Sequence, residues 1–132
     1  MASKIKRRTF AENSYLLKEG ERTETAFLIM SGKVEIRLSD LSDNPHTLAI
    51  LSKGDVVGEM SLIDNSPHMA SAIAMEKTEV VALSAEEFKK RIDNMDSVTR
   101  GILKILVKRI RQMREIIGMK SSETNWSEWE NN

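Results

Sequence analysis

The sequence predicts a mainly β domain finished by α-helix, and three observations carry that expectation. Between Arg7 and Leu83 the apolar residues come in short runs cut by turn residues, and no helical period is sustained. From Ser84 onward the period changes: Ile102, Leu106, Ile110, Met113 and Ile117 follow one another at spacings of four, four, three and four, a stripe on one helix face. The chain has 132 residues, 40% of them hydrophobic and 30% charged, which suits one domain around one core.

Tyr15-Leu16-Leu17 runs into a turn at Lys18-Glu19-Gly20. Ala26 to Met30 is a compact apolar run ending at Ser31-Gly32, after which Val34, Ile36 and Leu38 alternate with Lys33, Glu35 and Arg37. A hairpin-like pair pivoting on Gly32 is expected there. Leu41 to Pro45, rich in Ser, Asp, Asn and Pro, reads as a loop before a strand at Leu48, Ile50 and Leu51, and Lys53-Gly54-Asp55 is a further turn. Val56 to Ile63 breaks the rhythm with a Gly58-Glu59 step inside apolar sequence, followed by the polar loop Asp64-Asn65-Ser66-Pro67-His68, so something other than plain sheet belongs here. Strands near Ala70 to Met75 and Val80 to Leu83 bring the total to about seven or eight, a spacing that fits a sandwich, jelly roll or barrel, with a β-roll the best match.

Ser84-Ala85-Glu86-Glu87 places an N-cap serine three residues before a glutamate, a capping box that starts a short helix. A longer helix begins near Asp96, capped by Asp96 or Ser97, with Gly118 as its stop. The roll is thus expected over about residues 7–83 and the helices over about 84–119, in a domain of residues 1–120. Ser121 to Asn132 is polar, acidic and aperiodic apart from Trp126 and Trp129, and is expected to be a disordered tail.

Twenty Lys and Arg balance twenty Asp and Glu, so no global field draws the chain to nucleic acid or to an anionic membrane. The absence of cysteine removes disulfides, thiolate nucleophiles and Cys-containing metal sites. Met1 to Arg8 lacks the apolar stretch of a secretory signal, and no run approaches the roughly 18 apolar residues of a membrane span, so a cytoplasmic protein with no membrane partner is expected. His46 and His68 are too far apart to supply, with Glu59, the close His-x-His pair of a cupin-type metal site. Ser61 and Ser71 show no activating base, so no enzyme is expected. Arg100, Lys104, Lys108, Arg109, Arg111 and Arg114, opposed by Glu115, read as a solvated helix face.

The order of roll, short helix and long helix, together with Gly20, Ser31-Gly32-Lys33-Val34, Gly54-Asp55, Gly58-Glu59-Met60-Ser61-Leu62 and Pro67-His68-Met69-Ala70-Ser71, resembles the cyclic-nucleotide-binding domains of catabolite-activator-type regulators and of the regulatory subunits of cyclic-AMP-dependent kinase. The resemblance spans about Arg7 to Ile117. It implies a double-stranded β-helix, a jelly-roll-like β-roll, followed by a short helix and a long C-terminal helix. It also implies a phosphate-binding cassette from the Gly-Glu step to a Pro-Arg-x-Ala-Ser/Thr turn, and cAMP or cGMP as ligand with no further cofactor. The ligand residues it implies are Gly58, Glu59, Met60, Ser61, His68, Met69, Ala70 and Ser71. Glu59 would accept from the ribose 2′-hydroxyl, Gly58 would let backbone approach the sugar, and amides near Met69 and Ala70 would form an anion nest.

His68 stands ten residues on from Gly58, where the resemblance calls for arginine. A ring that is mostly neutral near pH 7 replaces an always-charged planar fork. A hydrogen bond to a charged group is worth roughly 1.5–3 kcal/mol, so phosphate binding is expected to weaken about ten- to a hundredfold unless another group compensates. Three roles are open to His68: a weak phosphate ligand, a pH-dependent one, or an ordinary loop histidine in a site that has drifted.

Two functions follow from the resemblance. One is a sensor that binds a cyclic nucleotide or related small anion and signals through its C-terminal helix to an unknown output protein. The other is a degenerate cassette that serves as a protein-interaction or dimerisation module, with Trp126 and Trp129 as a peptide anchor. The helix stripe either packs on the domain's own roll or forms a seam with the same helix of a second copy; a homodimer through the C-terminal helix is expected, with Leu103 and Ile105, which lie off the stripe, serving the roll. No helix-turn-helix segment follows that helix, so direct DNA binding is not expected.

Overall fold

The computed structural model describes residues 6–39 and 45–123, with side chains through residue 113. Its strands form two four-stranded antiparallel sheets. One sheet has the order β1 (Lys6–Phe10), β8 (Thr78–Ser84), β3 (Thr25–Ser31), β6 (Val56–Val57). The other has the order β2 (Tyr15–Leu17), β7 (Ser71–Ala74), β4 (Val34–Ser39), β5 (Pro45–Leu51). Strands consecutive in sequence mostly lie in opposite sheets, so the chain winds as a β-roll, the fold expected.

Alternation builds the core. Val34 and Leu38 of β4 are fully buried, as is Ile29 of β3, which packs with Val80 of β8. Each such side chain contributes roughly 1.5–3 kcal/mol relative to an exposed one. The rings of Phe10 and Phe27 meet edge to face at 5.4 Å, and the Arg8 guanidinium lies 4.8 Å from the Phe10 centroid, sealing that end of the core.

The expected hairpin at Gly32 does not form. β3 pairs with β8 and β6, β4 pairs with β5 and β7, and Gly32 is the point where the chain passes from one sheet to the other. Its φ is +98°, and a Cβ there would lie 2.5 Å from Thr78 Oγ1 and 2.7 Å from the Lys77 carbonyl, so the crossing admits only glycine. A compact apolar run and an alternating run on either side of a glycine fit a hairpin and a crossing equally well; the close approach of Thr78 decides it.

After β6 the chain leaves the sheet for α1 (Glu59–Asp64), which is bounded by left-handed residues at Gly58 and Asn65. The Ser84 hydroxyl accepts from the Glu87 amide at 3.2 Å and caps α2 (Ala85–Asp93), as the capping box foretold. Asp96 does the same for α3 (Ser97–Glu123), accepting from the Thr99 amide at 2.9 Å.

Two expectations for α3 are corrected. The helix does not stop at Gly118 but continues to Glu123, because one interior glycine costs only about 1 kcal/mol and breaks no hydrogen bond. Ile105 does not serve the roll: it is 50% exposed, whereas Val107 is buried and Leu103 half-buried. Leu103, Val107 and Arg111, spaced by four, form the face turned to the roll. Ile102, Leu106, Ile110 and Met113 are exposed beside it. The expected tail falls almost wholly outside the described residues, Trp126 and Trp129 included, as does the Ile117 side chain. Among the described residues no helix is long and apolar enough to cross a membrane.

Candidate functional site

Gly58 sets the geometry of the cassette. Its φ of +87° turns β6 into α1, and an added Cβ would press 3.1 Å from Leu17 Cδ1 and 3.3 Å from the Thr25 carbonyl. The turn puts Glu59 in the first turn of α1, over a cavity of about 160 Å³. Leu17, Ile36, Leu51, Val57 and Ala72 supply its apolar walls, while Glu59, Ser61, His68 and Arg111 supply its polar groups. Val56, Gly58, Met60, Met69 and Ala70 complete the lining. Burial pushes the Glu59 carboxyl above the usual carboxylate range, against a smaller opposing pull from its own backbone amide. A half-desolvated carboxyl of this kind favours a ligand hydroxyl that can bond to it.

His68 is buried, and its ring is held at both nitrogens. Nδ1 lies 3.0 Å from the Ser61 hydroxyl and Nε2 2.7 Å from the Thr23 hydroxyl. Its amide donates to the Glu21 carbonyl at 2.9 Å, and its carbonyl accepts from the Gly20 amide at 2.8 Å. Burial, and then the Arg111 charge, hold the imidazole below its ordinary pKa, with Glu21 opposing them. Of the three roles open to His68, these contacts describe a neutral ring that pins the cassette turn to the Gly20–Thr23 segment. The Met69 amide, next in the chain, has no hydrogen-bond partner among the described residues.

Ser71 stands apart from the other cassette residues. Its hydroxyl accepts from the Glu19 amide at 2.9 Å, beside a separate depression formed with Tyr15, Lys18 and Gly20. The two-residue period of β7 explains this, since Ala72 faces the cavity and Ser71 faces away.

Arg111, expected on a solvated helix face, is instead turned to the roll, its side chain 21% exposed and lining the cavity, a role the sequence reading missed. From α3 it donates to both carboxylate oxygens of Asp64, Nη2 to Oδ1 at 3.0 Å and Nε to Oδ2, and through Nη1 to the Pro67 carbonyl at 2.8 Å. The signal that could have found it is its register, one four-residue step beyond Leu103 and Val107 on the face that meets the roll. Among the described residues no three His, Asp or Glu side chains come together as a metal site.

The sequence profile of the family described as cyclic nucleotide-binding domain matches residues 7–95. The chain belongs to that family. It is 33% identical over 110 residues to the cyclic AMP receptor protein of Thermus thermophilus, covering 83% of this chain and 51% of that protein, so it spans about half the length of this relative. Among solved structures, it superposes on an EAL enzyme in its cAMP-bound form with a TM-score of 0.79 and 28% identity, covering 90% of this chain and 31% of that one. On the cGMP-bound form the TM-score is 0.77 at 28% identity, covering 80% and 28%. This cyclic nucleotide-binding domain therefore has the roll, the short helix and the long helix that the resemblance implied.

The ring of His68 makes a pH prediction. With its folded pKa below the unfolded 6.5, the unfolded chain binds more protons there as pH falls below that value. The contribution of His68 to stability is full above about pH 6.5 and is lost as pH falls toward the folded pKa. Urea unfolding at pH 7.5 and 5.5 should show a larger drop in midpoint for the wild type than for His68→Gln. Equal drops would mean that the ring is not held neutral.

Proposed function

We propose that this chain is a cytoplasmic, non-enzymatic regulatory domain that takes cAMP or cGMP into the cavity beneath Glu59 and transmits occupancy through α3. One observation carries the reading: Glu59, the cassette turn and Arg111 of α3 converge on one cavity, so a ligand there touches the helix as well as the roll. Glu59 accepts from the ribose 2′-hydroxyl, and the Met69 amide donates to the cyclic phosphate. The cavity, about 160 Å³, is smaller than the roughly 300 Å³ at which small-molecule sites begin, so binding requires α3 to yield over the fixed cassette turn. A ligand that binds the yielded state better shifts the population toward it. The Thermus cyclic AMP receptor and the EAL enzyme forms with cAMP and cGMP support this ligand class.

The output surface is the exposed face of α3. Ile102, Leu106, Ile110 and Met113, with Val98 one turn earlier, make an apolar seam suited to the same seam of a second copy. An isologous pair of helices buries all of these residues at once. The output protein that reads this dimer is a further partner, and direct DNA contact is not proposed. In sedimentation at micromolar concentration the wild type should run as a dimer and Leu106→Glu as a monomer; a monomeric wild type overturns the seam.

The alternative, a degenerate cassette serving only as an interaction module, is favoured by the engagement of the His68 ring with Ser61 and Thr23. Titration calorimetry separates the two. The sensor reading expects micromolar binding of cAMP or cGMP, weakened about tenfold either by Glu59→Gln or by removal of the ligand 2′-hydroxyl, and little further by both together. No heat from either nucleotide would favour the interaction module.

A further inference from the structure

We infer that Arg111, carried on α3, is the cation that holds the cyclic phosphate, and that Asp64 is the internal anion that occupies it until ligand arrives. The inference rests on the reading of the cavity as a cyclic-nucleotide site and names a group for which that reading has no cassette residue. Among the described residues lining the cavity, Arg111 is the permanent cation. His68 cannot take the role, because both ring nitrogens are engaged by hydroxyls and burial disfavours its charged form.

The guanidinium is already arranged for an oxyanion. It grips Asp64 through two parallel N–H groups, the geometry that also suits two oxygens of a phosphate. Its third contact, to the Pro67 carbonyl at 2.8 Å, places it at the cassette turn, two residues from the unpartnered Met69 amide. The exchange strands no buried charge, since the side chains of Arg111 and Asp64 are 21% and 22% exposed and the released carboxylate can hydrate. A cation within the cassette would hold phosphate without involving α3. With the cation on α3, phosphate recognition and helix position become one event, and Asp64 competes directly with the ligand.

Calorimetry of cAMP against wild type, Arg111→Gln, Arg111→Lys and Asp64→Asn tests this, with circular dichroism as a check of fold and the ³¹P resonance of bound cAMP at saturation as a second readout. Arg111→Gln should weaken cAMP at least tenfold and move the ³¹P resonance, Arg111→Lys should fall between, and Asp64→Asn should tighten binding about threefold. Wild-type affinity and an unmoved resonance in Arg111→Gln would overturn the inference and leave the sensor reading standing. Weaker binding with an unmoved resonance would make Arg111 a structural clip and overturn it equally. Weaker binding in Asp64→Asn would overturn the competition. A wild type that binds no cAMP, with Asp64→Asn also silent, would overturn both inference and reading.

Discussion

Arg111 reaches from α3 across to the cassette, taking both carboxylate oxygens of Asp64 and the Pro67 carbonyl, and the placement of the helix over the cavity follows from that grip. Beside it, among the described residues, the buried part of the attachment is Val107, with Leu103 half-buried. A partly exposed bidentate pair is worth roughly 1–2 kcal/mol, and burying one valine contributes about 1.5–3 kcal/mol. Those sums are of the same order as the differential affinity that moves a two-state equilibrium tenfold, about 1.4 kcal/mol. On the proposed mechanism the ligand moves this lightly held helix, while the roll, with Ile29, Val34, Leu38 and Val80 fully buried, stays fixed.

The roll fixes the other half of the site. Gly58 directs Glu59 over the cavity, and His68 ties the far end of the cassette to Thr23 and Ser61 through its ring and to Gly20 and Glu21 through its backbone. Four bonds to one buried residue make the turn a rigid frame. Histidine at the position where the resemblance implies arginine thus serves as a framework contact, and the cation proposed for an anionic ligand lies on α3, outside the cassette segment.

Much of this was legible in the chain itself. The caps at Ser84 and Asp96, the eight short strands and the break at Gly58 are local chemistry, and local chemistry is written in sequence. Sheet membership is not, because alternation tells which side of a strand is buried but not which strand lies beside it; hence the hairpin expected at Gly32 proved to be a crossing between sheets. On α3 the most apolar stripe is not the one that meets the roll; that face is Leu103, Val107 and Arg111, disguised by ending in an arginine. That arginine is one of several cations on the same helix; its register beyond Leu103 and Val107 is a weak signal, and its contact with Asp64, 47 residues earlier, is what marks it out. Ser71 shares its tetrapeptide with true cavity residues, but strand period turns it away.

The most direct measurement is the distance between spin labels on the roll and on α3, with and without ligand. The chain has no native cysteine, so Glu79→Cys in β8 and Lys108→Cys in α3, both at exposed positions, can be labelled without background and diluted with unlabelled protein to isolate the intramolecular pair. Coupling through Arg111 predicts a distance distribution that moves on saturation with cAMP in the wild type and stays still in Arg111→Gln at equal occupancy. A wild-type distribution unchanged by bound cAMP would contradict it.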